Sequence, residues 1–176
     1  MNRLINLLLL ASVAFVFFGC SEDDGFGCQL TLNLNVDEQQ LEVDLETIDA
    51  FLEENNITAQ IDAATGLRYV ITDQGTGTVE PIGLCDQVSV FYEGRLLSDG
   101  SRFDGTGANP VNFVLGGLIT GWQIGIPLIP RGGSATLYIP SVYAYGTRGQ
   151  GTIPPNASIV FDIELGPICP PAPLGP

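Results

Sequence analysis

The chain of 176 residues carries 20 acidic residues, 6 basic residues, no histidine and a formal net charge of −14 at pH 7. An excess of negative charge this large repels nucleic acid and anionic membrane surfaces, so neither is an expected partner. With no histidine and no pair of closely spaced cysteines, a zinc site lacks support, and we expect no metal and no cofactor.

The amino terminus has the architecture of an export signal. A short positive start containing Arg3 precedes an apolar run over residues 4–18, which is short for a membrane span. Cys20 follows Gly19, and this arrangement resembles a bacterial lipoprotein cleavage site. We predict that residues 1–19 are removed as a signal peptide and that lipidated Cys20 anchors the protein in the outer membrane, on the periplasmic or the cell-surface side. Cleavage of an ordinary signal peptide nearby is the alternative.

Residues 20–40 form an acidic linker. Its Ser-Glu-Asp-Asp run at residues 21–24 is similar to the export signal of surface lipoproteins in Bacteroidetes, with a solvated acidic spacer as the alternative. Apolar and polar residues alternate from Gln29 to Val36, which is compatible with an additional short strand.

Residues 41–65 are predicted to hold a helix and a connector. Apolar residues recur at helical spacing and Asn55 and Asn56 supply a stop signal, which predicts a helix from Leu41 to Asn55. Its apolar stripe must be buried against the rest of the chain or against a second copy. We favour docking on its own domain, and therefore a monomer. The stripe consists of Leu41, Leu45, Ile48 and Leu52.

The remaining sequence predicts an α+β domain. Strands are expected at about residues 67–73, 87–95, 101–115 (interrupted), 134–139 and 158–166, since apolar residues alternate with smaller or polar ones along several of these segments. One short helix is expected from about Gly121 to Ile126. Residues 170–176 form a Pro-rich tail without predicted structure.

Six motifs in this region occur in one order: Val90-Phe91-Tyr92-Glu93-Gly94, Asp99-Gly100-Ser101-Arg102-Phe103-Asp104, Leu118-Ile119-Thr120-Gly121-Trp122, Tyr143-Ala144-Tyr145-Gly146, Ile153-Pro154-Pro155 and Val160-Phe161-Asp162-Ile163-Glu164-Leu165. Together they resemble the FKBP-type peptidyl-prolyl cis-trans isomerases, over residues 66–169. The resemblance implies a five-stranded antiparallel sheet wrapped around a short helix, here with the additional N-terminal helix. It implies a rotamase that assists protein folding in the cell envelope. A non-catalytic peptide-binding or chaperone module, or a surface interaction lipoprotein on the same scaffold, is the alternative.

The resemblance also implies a pocket for proline-containing polypeptides and for macrolide inhibitors such as rapamycin. Trp122 is expected at its floor, and the Tyr145 hydroxyl and the Ile119 N–H are expected to bond substrate carbonyls. Val111 stands where the family often has an aromatic residue. The implied catalytic residues are Tyr92, Phe103, Asp104, Tyr145 and Phe161, and the implied substrate-binding residues are Val111, Leu118, Ile119, Trp122 and Ile153.

Three cysteines remain once Cys20 is lipidated, and an oxidising envelope favours one disulfide among them. If the strands after Cys85 and before Cys169 pair antiparallel, as the family implies, these two residues meet. A Cys85–Cys169 bridge is therefore expected, and a bridge from Cys28 to either residue is the alternative.

Overall fold

The structure is a computed structural model that describes residues 30–77 and 82–166. The predicted signal peptide, Cys20, the acidic residues 21–24 and the Pro-rich tail lie outside the described residues. The described part of the chain contains two α-helices, seven strands and short 3₁₀ turns. The helices and strands are α1 (Glu38–Glu54), β1 (Gln60–Ile61), β2 (Arg68–Asp73), β3 (Gln87–Leu96), β4 (Arg102–Gly105), β5 (Val111–Val114), α2 (Thr120–Gly125), β6 (Ser134–Ile139) and β7 (Ile159–Leu165).

The strands form one antiparallel sheet in the order β1-β2-β6-β7-β3-β4, and β5 also pairs with β3. Strand β3 is the longest, and it pairs with β7 on one side and with β4 and β5 in turn on the other. This register sets Tyr92 opposite Ile163 and Gly94 opposite Asp104. The side chains that build the site therefore meet near the middle of β3.

The described sheet has seven strands where five were predicted. The interrupted strand expected over residues 101–115 is two separate strands, because residues 106–110 contain glycine and Pro110, and proline cannot donate to a strand ladder. The two-residue strand β1 is too short for an alternating pattern to reveal it. The additional strand considered for residues 29–36 is absent from residues 30–37, which have no regular structure.

The inner face of the sheet carries the main core and packs on α2. Along β7, Ile159, Phe161 and Ile163 point into this core, as the alternating pattern predicted. Glycine allows the helix to lie very close to β6, because a Cβ at Gly121 would overlap the Ile139 side chain and one at Gly125 would overlap Leu137. The predicted helix around 121–126 is thus confirmed, and a 3₁₀ turn over residues 126–128 continues it.

The outer face of the sheet is partly covered by α1. Ile48 and Leu52 pack there against a cluster that includes Leu97, Tyr138 and Val160. The prediction that the N-terminal helix docks on its own domain is confirmed. An ion pair of 2.6 Å between Asp49 and Arg68 of β2 supports the same contact.

Helix α1 begins at Glu38, before the predicted start at Leu41 and inside the predicted linker. The reason is a cap that lies ahead of the apolar stripe. The Asp37 carboxylate accepts hydrogen bonds from the N–H groups of Gln39 and Gln40, at 3.0 and 3.1 Å. Such a cap satisfies donors that the first turn of a helix leaves free.

Cys85 takes part in a disulfide bond. Both candidate partners, Cys28 and Cys169, lie outside the described residues, so the pairing stays a prediction. Among the described residues, no helix is long and apolar enough to cross a membrane. Within the same residues, no group of three or more acidic or cysteine side chains is placed to hold a metal ion.

The packing of α1 predicts the effect of a cavity-forming substitution. Ile48 is 0% exposed, so Ile48→Ala should lower the free energy of unfolding by about 2–5 kcal/mol. Val43 lies on the same helix but is 54% exposed, so Val43→Ala should change it by less than about 0.5 kcal/mol. Urea unfolding followed by Trp122 fluorescence measures both. Equal effects of the two substitutions would contradict the docking of α1.

Candidate active site

A cavity of about 170 Å³ opens between α2 and the inner face of the sheet. Its walls come from β3, β5 and β7, its floor from α2, and its rim from the end of β4 and from the turn after β6. Most of its lining is aromatic or aliphatic, and one carboxylate stands at the mouth. The lining residues are Tyr92, Asp104, Phe113, Leu118, Ile119, Trp122, Tyr145 and Phe161.

Trp122 forms the floor because it is the centre of an aromatic cluster. Tyr92 and Phe161 each pack edge to face with its indole at centroid distances of 5.1 and 5.0 Å, with interplanar angles of 81° and 86°. Phe113 adds a third edge contact at 6.1 Å. Such edge-to-face pairs add about 0.5–1.5 kcal/mol each beyond area burial. The floor is therefore held rigidly on three sides.

Gly94 on β3 leaves space for the Phe161 ring in the cavity wall and for the Phe103 ring that contacts it. A Cβ at Gly94 would stand 2.6 Å from the Phe161 ring and 2.7 Å from the Phe103 ring. Without it, these two rings pack edge to face at 5.5 Å and 90°. Phe103 thus supports the wall by contacting Phe161.

Asp104 at the mouth is held by two hydrogen bonds. The Tyr92 hydroxyl donates to one carboxylate oxygen at 3.0 Å, and the Gly105 N–H donates to the other at 2.7 Å. Burial, together with this hydrogen bond and the charge of Asp104, raises the pKa of Tyr92 to about 12. Burial and then the Asp104 charge also raise the pKa of Tyr145. Both phenols are therefore neutral donors at physiological pH.

Two donors at the rim of the cavity make no hydrogen bond to the described part of the chain. One is the N–H of Ile119, the residue that precedes α2. The other is the Tyr145 hydroxyl, whose residue is half-buried at the rim. The buried Trp122 indole N–H also has no hydrogen-bond partner among the described residues. An apolar cavity edged by free donors suits a ligand that presents a ring and carbonyl oxygens.

The cavity gathers seven of the ten predicted site residues, and three lie elsewhere. Phe103 stands behind Phe161, as described above. Ile153 is buried in the core cluster without lining the cavity. Val111 is 39% exposed at the start of β5, away from the lining.

Two functional neighbours were not predicted from the sequence. Phe113, two residues after Val111 on β5, lines the cavity in its place, and the alternation of that strand was the available signal. Thr106 fixes the backbone of Tyr92, since its hydroxyl accepts the Tyr92 N–H at 3.0 Å and its own N–H donates to the Tyr92 carbonyl at 2.9 Å. No sequence signal marks that contact.

Larger hollows exist, but their linings suit a compact apolar ligand less well. One of about 470 Å³ lies mainly over the outer face and is lined in part by Glu93, Asp162 and Glu164. Another of about 430 Å³ lies beside α1 and includes Arg95 and Asp162. Three of these charges are already paired, since Arg95 contacts Glu93 and Asp162 at 2.8 and 2.5 Å. The aromatic cavity remains the better candidate.

Comparisons with known proteins point to one family. The model of a family described as FKBP-type peptidyl-prolyl cis-trans isomerase matches residues 81–166. The probable FKBP-type peptidyl-prolyl cis-trans isomerase FkpA of Neisseria meningitidis is 47% identical, over 66% of this chain and 43% of its own length. FK506-binding protein 2 of Candida glabrata is 39% identical, over 62% of this chain and 85% of its own length.

The structural comparison agrees. The crystal structure of a peptidyl-prolyl cis-trans isomerase from Pseudomonas syringae has a TM-score of 0.58 and 32% identity, covering 70% of this chain and 92% of that one. The chain nevertheless matches less than half the length of its Neisseria relative.

The contact of Tyr92 with Asp104 predicts a loss of stability at alkaline pH. The folded-state pKa of about 12 lies above the ordinary phenol value, so the folded chain holds the proton where the unfolded chain releases it. The corresponding stability is complete below about pH 10 and is lost as the pH rises through about 12. Urea unfolding at a series of alkaline pH values measures this slope.

Asp104→Asn should reduce the slope, because the charge that favours the protonated phenol is removed. Asp99→Asn is the matched control, since Asp99 is a loop carboxylate that bonds only its own turn through Ser101. If both variants kept the wild-type slope, the electrostatic coupling of Tyr92 to Asp104 would be disproved.

Proposed function

The chain belongs to the FKBP-type peptidyl-prolyl cis-trans isomerases, and we propose that its aromatic cavity catalyses rotation about Xaa-Pro bonds of proline-containing polypeptides. One observation carries the proposal. Two donors, the Ile119 N–H and the Tyr145 hydroxyl, lie at the rim of an apolar cavity whose floor is Trp122 and bond to no described residue. A proline ring fits the apolar part and the flanking carbonyl oxygens fit the donors.

The reaction needs no acid, base or metal, because no bond is broken. Amide resonance sets a barrier of about 18–20 kcal/mol to rotation about the peptide C–N bond. The planar amide is more charge-separated than the twisted one. A cavity that excludes water and offers few charges therefore disfavours the planar ground state more than the twisted transition state. Proline is the natural substrate because its two isomers are nearly balanced in free energy.

The cavity residues have different roles in the proposed rotation. Trp122, Tyr92 and Phe161 enclose the proline ring and exclude water. The Ile119 N–H and the Tyr145 hydroxyl donate to substrate carbonyls beside the ring and hold the proline-containing part of the peptide, while the remaining part turns about the C–N bond. Asp104 keeps the Tyr92 hydroxyl oriented through the bond of 3.0 Å.

No single contact is strong enough to explain catalysis alone. A millionfold acceleration corresponds to about 8 kcal/mol of differential stabilisation, whereas one hydrogen bond contributes about 1 kcal/mol. Enclosure, carbonyl bonding and fit must therefore act together. Phe113 supplies aromatic surface that Val111 does not.

A macrolide such as rapamycin is proposed to inhibit by occupying the same cavity. Drug-sized ligands usually sit in pockets of about 300–1,000 Å³. A cavity of about 170 Å³ admits only a ring-sized part of such a molecule, so the remainder must lie over the rim. The Tyr145 hydroxyl and Ile119 N–H are the donors available there.

We also propose that the protein is an outer-membrane lipoprotein that assists folding of exported polypeptides. The Gly19-Cys20 junction after the apolar run supports this location. The disulfide at Cys85 is in keeping with an oxidising compartment.

The purified protein should accelerate cis-to-trans isomerisation of short Xaa-Pro peptides, and rapamycin should abolish the acceleration. Tyr145→Phe should lower kcat/KM about five- to tenfold, the equivalent of one hydrogen bond. Protease-coupled or NMR exchange measurements supply the rates.

Tyr138→Phe is the matched control, because it removes a hydroxyl from the outer face of the same fold. It should leave kcat/KM unchanged. Wild-type protein that is folded, binds rapamycin and still does not exceed the buffer rate would disprove the enzymatic proposal and leave a peptide-binding module.

The proposed lipid anchor at Cys20 can be tested separately from the enzyme activity. Cells that express the chain should incorporate labelled fatty acid into it, and Cys20→Ala should abolish the label. Cys28→Ala removes a nearby cysteine without touching the Gly19-Cys20 junction, and it should keep the label. Incorporation that survives Cys20→Ala would contradict the proposed anchor.

A further inference from the structure

Asp44 is a buried carboxylate that the proposed mechanism does not use. It lies in the middle of α1, is 3% exposed and is satisfied by neutral donors. Gln40 Nε2 donates to its Oδ1 at 2.9 Å, and the Ser141 hydroxyl and the Val142 N–H donate to its Oδ2 at 2.6 and 3.3 Å. Burying a carboxylate is costly unless hydrogen bonds compensate, so these contacts specify one docked geometry.

The two donors opposite α1 belong to the turn that carries Tyr145. Pro140 ends β6, residues 141–143 form a 3₁₀ turn, and Tyr145 follows at the rim of the cavity. Ser141 is completely buried, so its bond to Asp44 is shielded from water. Asp44 thus holds the beginning of a segment whose end reaches the substrate site.

Other contacts fix the remainder of this turn. The Tyr143 hydroxyl donates to the Thr65 carbonyl at 3.0 Å, and the Asn156 N–H donates to the Gly146 carbonyl at 2.9 Å. Tyr145 lies between these two anchors, and its own hydroxyl is free of described partners. Its position is therefore set by how the flanking residues are held.

Helix α1 lies outside residues 81–166, which the family model matches. The turn that carries Tyr145 lies inside them. Asp44 is consequently a side chain of the N-terminal extension that contacts the start of the turn carrying the rim residue Tyr145.

We propose that Asp44 is a positioning residue, which couples the docking of α1 to the placement of the Tyr145 hydroxyl through Ser141 and Val142. This inference rests on the proposed function, because it assigns to Asp44 an effect on the same isomerisation. It makes the N-terminal helix part of the catalytic unit.

The first test is a double-mutant cycle on the full chain. Asp44→Ala should lower kcat/KM about five- to tenfold, since a displaced Tyr145 hydroxyl loses about one hydrogen bond in the transition state. In a Tyr145→Phe background the same substitution should change kcat/KM by less than about twofold, because the hydroxyl is already gone. A purely structural role would give the same loss in both backgrounds and overturn the proposal.

A conservative variant and a matched control sharpen the result. In Asp44→Asn the amide oxygen can accept from Ser141 and Val142 while its NH₂ donates to a flipped Gln40 side chain, so activity should be restored. Asp49→Ala removes a carboxylate from the same helix, but Asp49 pairs with Arg68 on β2 and not with the turn that carries Tyr145. The Asp49→Ala variant should therefore keep the wild-type kcat/KM. A loss with Asp49→Ala equal to that with Asp44→Ala would overturn the proposal.

Hydrogen exchange distinguishes failure of this inference from failure of the proposed function. Asp44→Ala should speed exchange of the Tyr143 and Ala144 amides, which bond the Pro140 and Ser141 carbonyls, and Asp49→Ala should not. Wild-type protein without turnover would disprove the proposed function. Unchanged exchange in Asp44→Ala would disprove the coupling whatever the turnover.

Discussion

The close approach of α2 to β6 is the constraint on which the site depends. Gly121 and Gly125 are four residues apart and therefore lie on one side of the helix, where any Cβ would overlap Ile139 or Leu137. The neighbouring residue Trp122 then points towards the cavity and packs edge to face with Tyr92 and Phe161. A side chain at either glycine would lift the floor of the cavity away from its walls.

Local, repeated signals in the sequence predicted many of the strands and helices, whereas the cavity residues were predicted from the resemblance to a known family. Alternation along β7 identified Phe161 as inward-facing, and the helical spacing of Ile48 and Leu52 identified the docked face of α1. Strand β1 was not predicted, because two residues are too few to show an alternation of apolar and polar side chains. The interruption within residues 101–115 was predicted from the glycine and proline there, and the structure shows that pairing with β3 stops at Gly105 and resumes at Val111.

Contacts that join distant parts of the chain could not be predicted from patterns within one strand or helix. Asp44 has the appearance of one more exposed carboxylate on an acidic helix, yet it is buried against Ser141. Thr106 lies in no special pattern, yet it bonds both the N–H and the carbonyl of Tyr92. Each depends on a register between elements, and a sequence pattern within one element contains no such information.

The polar groups of this fold follow two opposite arrangements. Asp44 and Asp162, which hold elements together, have their hydrogen bonds satisfied within the protein. The Ile119 N–H and the Tyr145 hydroxyl, at the rim of the cavity, have no such partner in residues 30–77 and 82–166. A buried donor without a partner costs about 1–3 kcal/mol, which water can offset only while the cavity is open. When a proline ring displaces that water, the carbonyls beside it are the remaining acceptors. Loss of this water thus links the binding of the proline ring to the hydrogen bonds between the adjacent carbonyls and the two rim donors.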